Sequence, residues 1–77
     1  MNFEATIRFG DVFYTFYFTE IRLSTGLKYF VRTKTQKKEN IFFEIIQDPN
    51  GKWKLVQPVP DWILARESDL LSIIELH

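Results

Sequence analysis

The chain has no cysteine, and its one histidine is the last of 77 residues, His77. No disulfide can staple the fold, and no thiolate can attack a substrate or hold a metal. A structural zinc site, which needs several Cys or His ligands, is excluded in practice. No metal or cofactor is expected. Ser-His-Asp and Cys-His arrangements lack their base. Glycine is as scarce as proline, three of each. Gly10, Gly26 and Gly51 fall in separate turns and cannot form a phosphate-cradling loop. The carboxylates offer no pair set apart by burial. Glu20 and Glu44 fall on strands near cations, and Asp61, Glu67 and Asp69 fall near a helix N-terminus, where acids are favoured anyway. No catalytic residue is assigned, and the chain reads as a non-enzyme.

Long apolar runs are absent too. None approaches the ~20 residues that span a bilayer. Met1 to Ala5 alternates instead of showing the charged and apolar regions of a secretory signal. A cytoplasmic protein with no membrane contact is expected. Length allows one domain over residues 1–77, with a thin core.

Aromatics are plentiful: eight Phe, three Tyr and two Trp. Each ring buries much area, which suits a small core. Ten basic side chains balance ten acidic ones. The balance is uneven, because residues 1–38 carry seven basic and three acidic side chains and residues 39–77 carry three and seven. Attraction between the halves of one fold is the simplest reading.

Period-two alternation dominates from Phe3 to Gln57, with turn signals every 8–15 residues. Strands are predicted over about 3–9, 12–23, 29–35, 41–47 and 52–57. Gly10-Asp11 fits a two-residue type II′ turn, which pairs Phe9 with Val12, Ile7 with Tyr14, Ala5 with Phe16 and Phe3 with Phe18. In the second strand the apolar phase changes, from Val12, Tyr14, Phe16 and Phe18 to Ile21 and Leu23. A one-residue bulge near Thr19-Glu20 would restore one core face, whereas a bend would let the two ends bury opposite faces. The bulge is favoured. Residues 24–28 read as a loop. Asp48-Pro49-Asn50-Gly51 is a type I turn with a left-handed glycine, pairing Gln47 with Trp53 and Ile45 with Leu55. Pro58 and Pro60 end the sheet.

A helix is predicted over about 61–76, N-capped by Asp61. Trp62, Ile63, Leu70, Ile73 and Ile74 share one side. Arg66 and Glu67 sit near that side as a flaw in the stripe, and Ser68-Asp69 offers a second cap and so a break. The fold class is α+β, mainly β: a five-stranded antiparallel meander, as a strongly twisted sheet or half-barrel, with one C-terminal helix across it.

Geometry raises a problem. Five strands at ~4.8 Å spacing are roughly 24 Å wide, and a helix is only ~10–12 Å across. Coiling, a second copy, or a partner or ligand must cover what remains. The face opposite the core carries Phe13, Tyr17, Phe30, Phe42, Ile46 and Val56. These form the candidate interaction face for a homodimer or a protein partner. The alternative is nucleic-acid binding by Phe30, Arg32, Lys34, Lys37 and Lys38, where cations track phosphates and a ring stacks on bases. Against it, Arg32 is expected opposite Glu44 as a cross-strand pair. A weaker alternative is an apolar small-molecule carrier. Trp53 and Trp62 are expected in the core.

Overall fold

In the computed structural model, residues 1–76 are described; His77 lies outside them. The strands are β1 (Asn2–Phe9), β2 (Val12–Leu23), β3 (Gly26–Lys34), β4 (Asn40–Gln47) and β5 (Trp53–Leu55). They form one antiparallel sheet in the order β1-β2-β3-β4-β5, curled into a half-barrel. Two short helices follow, α1 (Asp61–Leu64) and α2 (Glu67–Glu75).

The two hairpins with strong turn chemistry form in the expected registers. Gly10 has φ +63° while Asp11 stays out of the left-handed region, as a type II′ turn requires. Phe9 then meets Val12, Ile7 meets Tyr14, and Phe3 meets Phe18. At the other hairpin the Asp48 carboxylate accepts bonds from the Asn50 and Lys52 amides, both at 2.9 Å. Gly51 takes φ +86°, and Gln47 meets Trp53.

Three expectations fail in the middle and at the end of the chain. β3 begins at Gly26, not Tyr29, because Ser24-Thr25 makes a tight turn that pairs Leu23 with Gly26. β2 carries no bulge: its pairing with β3 runs unbroken from Tyr17–Arg32 to Leu23–Gly26. Its two ends therefore favour opposite faces, and Glu20 and Arg22 point to the core side at the sheet's margin. Their ion pair, with Arg22 Nη2 2.9 Å from Glu20 Oε1, makes that tolerable, although Oε1 accepts no hydrogen bond and the Glu20 side chain is only 8% exposed. Finally, the single helix is two. Pro60, not Asp61, holds the N-cap position, and the break falls at Ala65-Arg66, just before Ser68.

The core lies on the concave face. Phe16, Phe18, Val31, Ile45 and Leu55 are almost fully buried beneath Ile63, Leu70 and Ile74 of the helices. Trp62 packs on Phe9 and Tyr14, with ring centroids 5.2 and 4.6 Å apart, and Trp53 packs on Tyr29 at 5.4 Å. Both tryptophans thus sit at the core as expected. Thr33 is buried among them and donates its hydroxyl to the Thr15 carbonyl at 2.8 Å.

The helix break explains how so few helical residues cover five strands. The Glu20 amide donates to the Met1 carbonyl at 3.0 Å, so in an antiparallel ladder Asn2, Glu4, Thr6 and Arg8 turn their backbone groups to the free edge of β1. Likewise the Val56 amide donates to Glu44 at 2.9 Å, so Leu55 faces the free edge of β5. Arg66 Nη1 donates to the Arg8 carbonyl at 2.8 Å, and its guanidinium lies 4.8 Å from the Phe9 ring centre. The Glu67 carboxylate accepts the Leu55 amide at 3.4 Å. Neighbouring residues at the break therefore reach the two opposite edges of the sheet and hold it curled. The flaw in the apolar stripe is the clamp.

Arg66→Ala should lower stability in urea denaturation by about 1.5–3 kcal/mol, the range for hydrogen bonds to charged groups. Arg66→Lys should recover little, because an ammonium lacks the fork that serves Asp69 and Arg8 together. A change within about 0.5 kcal/mol for Arg66→Ala would show that the clamp carries nothing. A second prediction concerns Tyr29. Burial raises its phenol pKa, the Glu20 charge adds to the rise, and Arg22 partly offsets it. The unfolded phenol ionises first, near its ordinary value of ~10, so stability falls as pH climbs from there toward the folded value. Below that range Tyr29 contributes no pH dependence. Alkaline denaturation of Tyr29→Phe should lack this component of the loss.

Candidate interaction face

Strand alternation sends every second side chain to the convex face, away from the helices. The six aromatic and aliphatic residues expected there are all on it, but not in equivalent roles. Phe13 is 66% exposed, Phe42 52% and Tyr17 40%. Ile46 is exposed at the margin, whereas Phe30 and Val56 are half-buried. Phe30 stacks against Phe42 with centroids 5.5 Å apart and planes 23° apart, so Phe42 shields part of its ring.

The β2–β3–β4 registers bring aromatic and basic residues into shared rows. Tyr17 meets Arg32, and Arg32 meets Phe42. The Arg32 guanidinium sits 4.5 Å from the centre of the Tyr17 ring. The expected Arg32–Glu44 pair does not form. Phe30 stands opposite Glu44, and Lys28, on the diagonal, takes the carboxylate at 2.8 Å. The cause is register: the tight turn in which the Lys38 amide donates to the Thr35 carbonyl and the Thr35 amide to the Glu39 carbonyl, both at 2.9 Å, pairs Lys34 with Asn40 and so sets Arg32 against Phe42. Among the described residues, neither Arg32 nor Lys34 has a carboxylate partner.

The basic stretch is divided. Arg32 and Lys34 join Phe13, Tyr14, Thr15 and Tyr17 around a groove of about 410 Å³. Lys37 instead borders a second hollow with Tyr14, Gln36 and Trp62, and Lys38 is exposed in the turn with φ +64°. Of the five residues expected to form a nucleic-acid surface, Arg32 and Lys34 stay together, Phe30 is partly covered, and Lys37 and Lys38 lie in the loop beyond. Thr15 is not visible as a site residue in the sequence, where a lone threonine on an aromatic strand carries no signal. Its hydroxyl lies 3.0 Å from that of Thr6 on the same face.

Charge separates by layer. The convex face carries Arg8, Lys28, Arg32, Lys34 and Lys54 against Glu4 and Glu44. The helices carry Asp61, Glu67, Asp69 and Glu75 against Arg66. The uneven halves of the sequence thus become two differently charged sides of the fold. Lys28–Glu44 is the one ion pair among the described residues that joins the halves.

No group of residues able to hold a metal ion occurs among the described residues, and no helix among them is long and apolar enough to cross a membrane. No family model, no curated protein and no solved structure matches the chain.

Exposure predicts which rings hold the fold. Phe13→Ser should change unfolding free energy by no more than about 0.5 kcal/mol. Phe16→Ala, at a fully buried site, should cost about 3–5 kcal/mol. Comparable losses in thermal or urea melts would mean that Phe13 serves the core.

Proposed function

We propose that this protein is a non-enzymatic binding module that works through the convex face of its sheet. One observation carries the reading: Phe13, Tyr17 and Phe42 stand in water beside Arg32 and Lys34, which have no carboxylate partner among the described residues, on the side the helices do not cover. Apolar patches left open on a monomer usually mark contact surfaces.

A second copy is the simplest protein occupant. Face-to-face docking on a two-fold axis sets like surfaces together, here with the same excess of cations on each. Glu44 is already engaged by Lys28, which leaves Glu4 to offset them. An anionic partner meets no such repulsion and gains from it. An apolar small molecule is less suited, because the concave side is filled by Ile63, Leu70 and Ile74. A chain without cysteine needs no oxidising compartment, and we place its work in the cytoplasm.

Two measurements test the reading together. At physiological salt the protein should sediment as a monomer even when concentrated. It should be retained on a polyanionic matrix, and both Phe13→Ser and Arg32→Glu should weaken retention. A strict monomer that is not retained would remove the reading. A dimer that Phe13→Ser dissolves would keep the face and replace the occupant.

A further inference from the structure

We infer that the groove between Phe13, Tyr17, Arg32 and Lys34 binds single-stranded nucleic acid; the inference rests on the convex face being the working surface. Such a strand offers two chemistries in alternation, a charged phosphate and a flat apolar base. Proteins that bind it without sequence preference set cations beside exposed rings on a sheet, the cations following the backbone and the rings stacking on bases.

The convex face repeats that alternation in space. Arg32 and Lys34 are neighbours on one side of β3, ~7 Å apart at strand spacing. Thr15, which meets Lys34 in the continuing register, adds a hydroxyl between the rings of Phe13 and Tyr17. Cation–π contact holds the Arg32 guanidinium over Tyr17 with no carboxylate among the described residues to neutralise it, so its donors remain for a phosphate. Phe42 lies on the far side of Arg32 and Phe13 at the mouth of the groove, both more than half exposed. Rings thus flank the cations on both sides.

Charge fixes the side of approach. The molecule has no net charge, but the helices carry four acids against Arg66, whereas the convex sheet carries five cations against Glu4 and Glu44. A polyanion is attracted to one side and repelled from the other. Single strands are favoured over duplex because a duplex keeps its base faces stacked inside, where Phe13 and Phe42 cannot reach them. A structureless acidic peptide could pair with Arg32 and Lys34, but it would leave the rings unused.

The test is anisotropy of a labelled oligothymidine with the full chain at low salt, followed by salt titration. Binding should fall with salt. Arg32→Gln with Lys34→Gln should make the slope of log K against log salt shallower by about 1.4, at ~0.7 for each phosphate no longer neutralised. Phe13→Ala and Phe42→Ala should each weaken binding about fivefold or more and leave the slope unchanged. Circular dichroism of each variant confirms that it is folded, and Lys34→Gln alone, at an exposed site, serves if Arg32→Gln is not. Duplex of the same sequence should bind at least about tenfold more weakly. No salt-sensitive binding overturns the inference, as does equal binding of inorganic polyphosphate that Phe13→Ala leaves untouched. If oligonucleotide fails but the polyanionic matrix still retains the wild type and releases Phe13→Ser, the nucleic-acid inference falls and the convex binding face stands.

Discussion

Two adjacent side chains at a helix break hold this fold in its shape. A meander of five strands has two open edges and a concave face wider than a helix. Arg66 reaches one edge through the Arg8 carbonyl, and Glu67 reaches the other through the Leu55 amide. A continuous helix through this region would carry both side chains on a regular spiral. The break at Ala65-Arg66 instead lets consecutive residues point to opposite sides. Edge strands with unsatisfied backbone groups invite pairing with other chains, and charged side chains commonly guard them. Here the guards also bridge the two edges across the concave side.

Curling resolves the mismatch between sheet and helix widths on the concave side alone. Phe16, Val31, Ile45 and Leu55 vanish beneath thirteen helical residues because the sheet wraps them. The same curvature turns the convex face outward, and among the described residues Phe13 and Phe42 stay more than half exposed. The closed side and the open side are consequences of one geometry. The acidic helices and the basic convex sheet add a direction to it, which makes the open side attractive to anions.

Legibility in the sequence follows the strength of the turns. Gly10-Asp11 and Asp48-Pro49-Asn50-Gly51 each admit few backbone conformations, and the first and last hairpins are readable pair by pair. Ser24-Thr25-Gly26 has weaker turn chemistry, and a long loop there is as reasonable on sequence as the tight turn that forms. That one ambiguity propagates. It leaves the β2–β3 register open, so sequence places Tyr17 and Arg32 on separate candidate surfaces when they are cross-strand neighbours. A second weak turn, the charged stretch at 35–39, leaves the β3–β4 register open as well, and there the sequence sets Arg32 against Glu44, a place held by Phe30. The phase change near Glu20 points to a bulge because the apolar positions switch from even to odd, and the Arg22 guanidinium and the Met1 ammonium beside the Glu20 carboxylate make the unbroken strand tolerable. Arg66 and Glu67 look like errors in an amphipathic pattern because a pattern records faces, not the distant edges that long side chains reach.

Amide hydrogen exchange in the Arg66→Ala protein, followed residue by residue, tests the clamp most directly. If the break ties both edges together, freeing the β1 edge should also speed exchange at Leu55 and its neighbours on β5, on the opposite side of the sheet. Faster exchange confined to β1, with β5 protected as in the wild type, would show that the two edges are held independently and that the half-barrel owes its curl to strand twist alone.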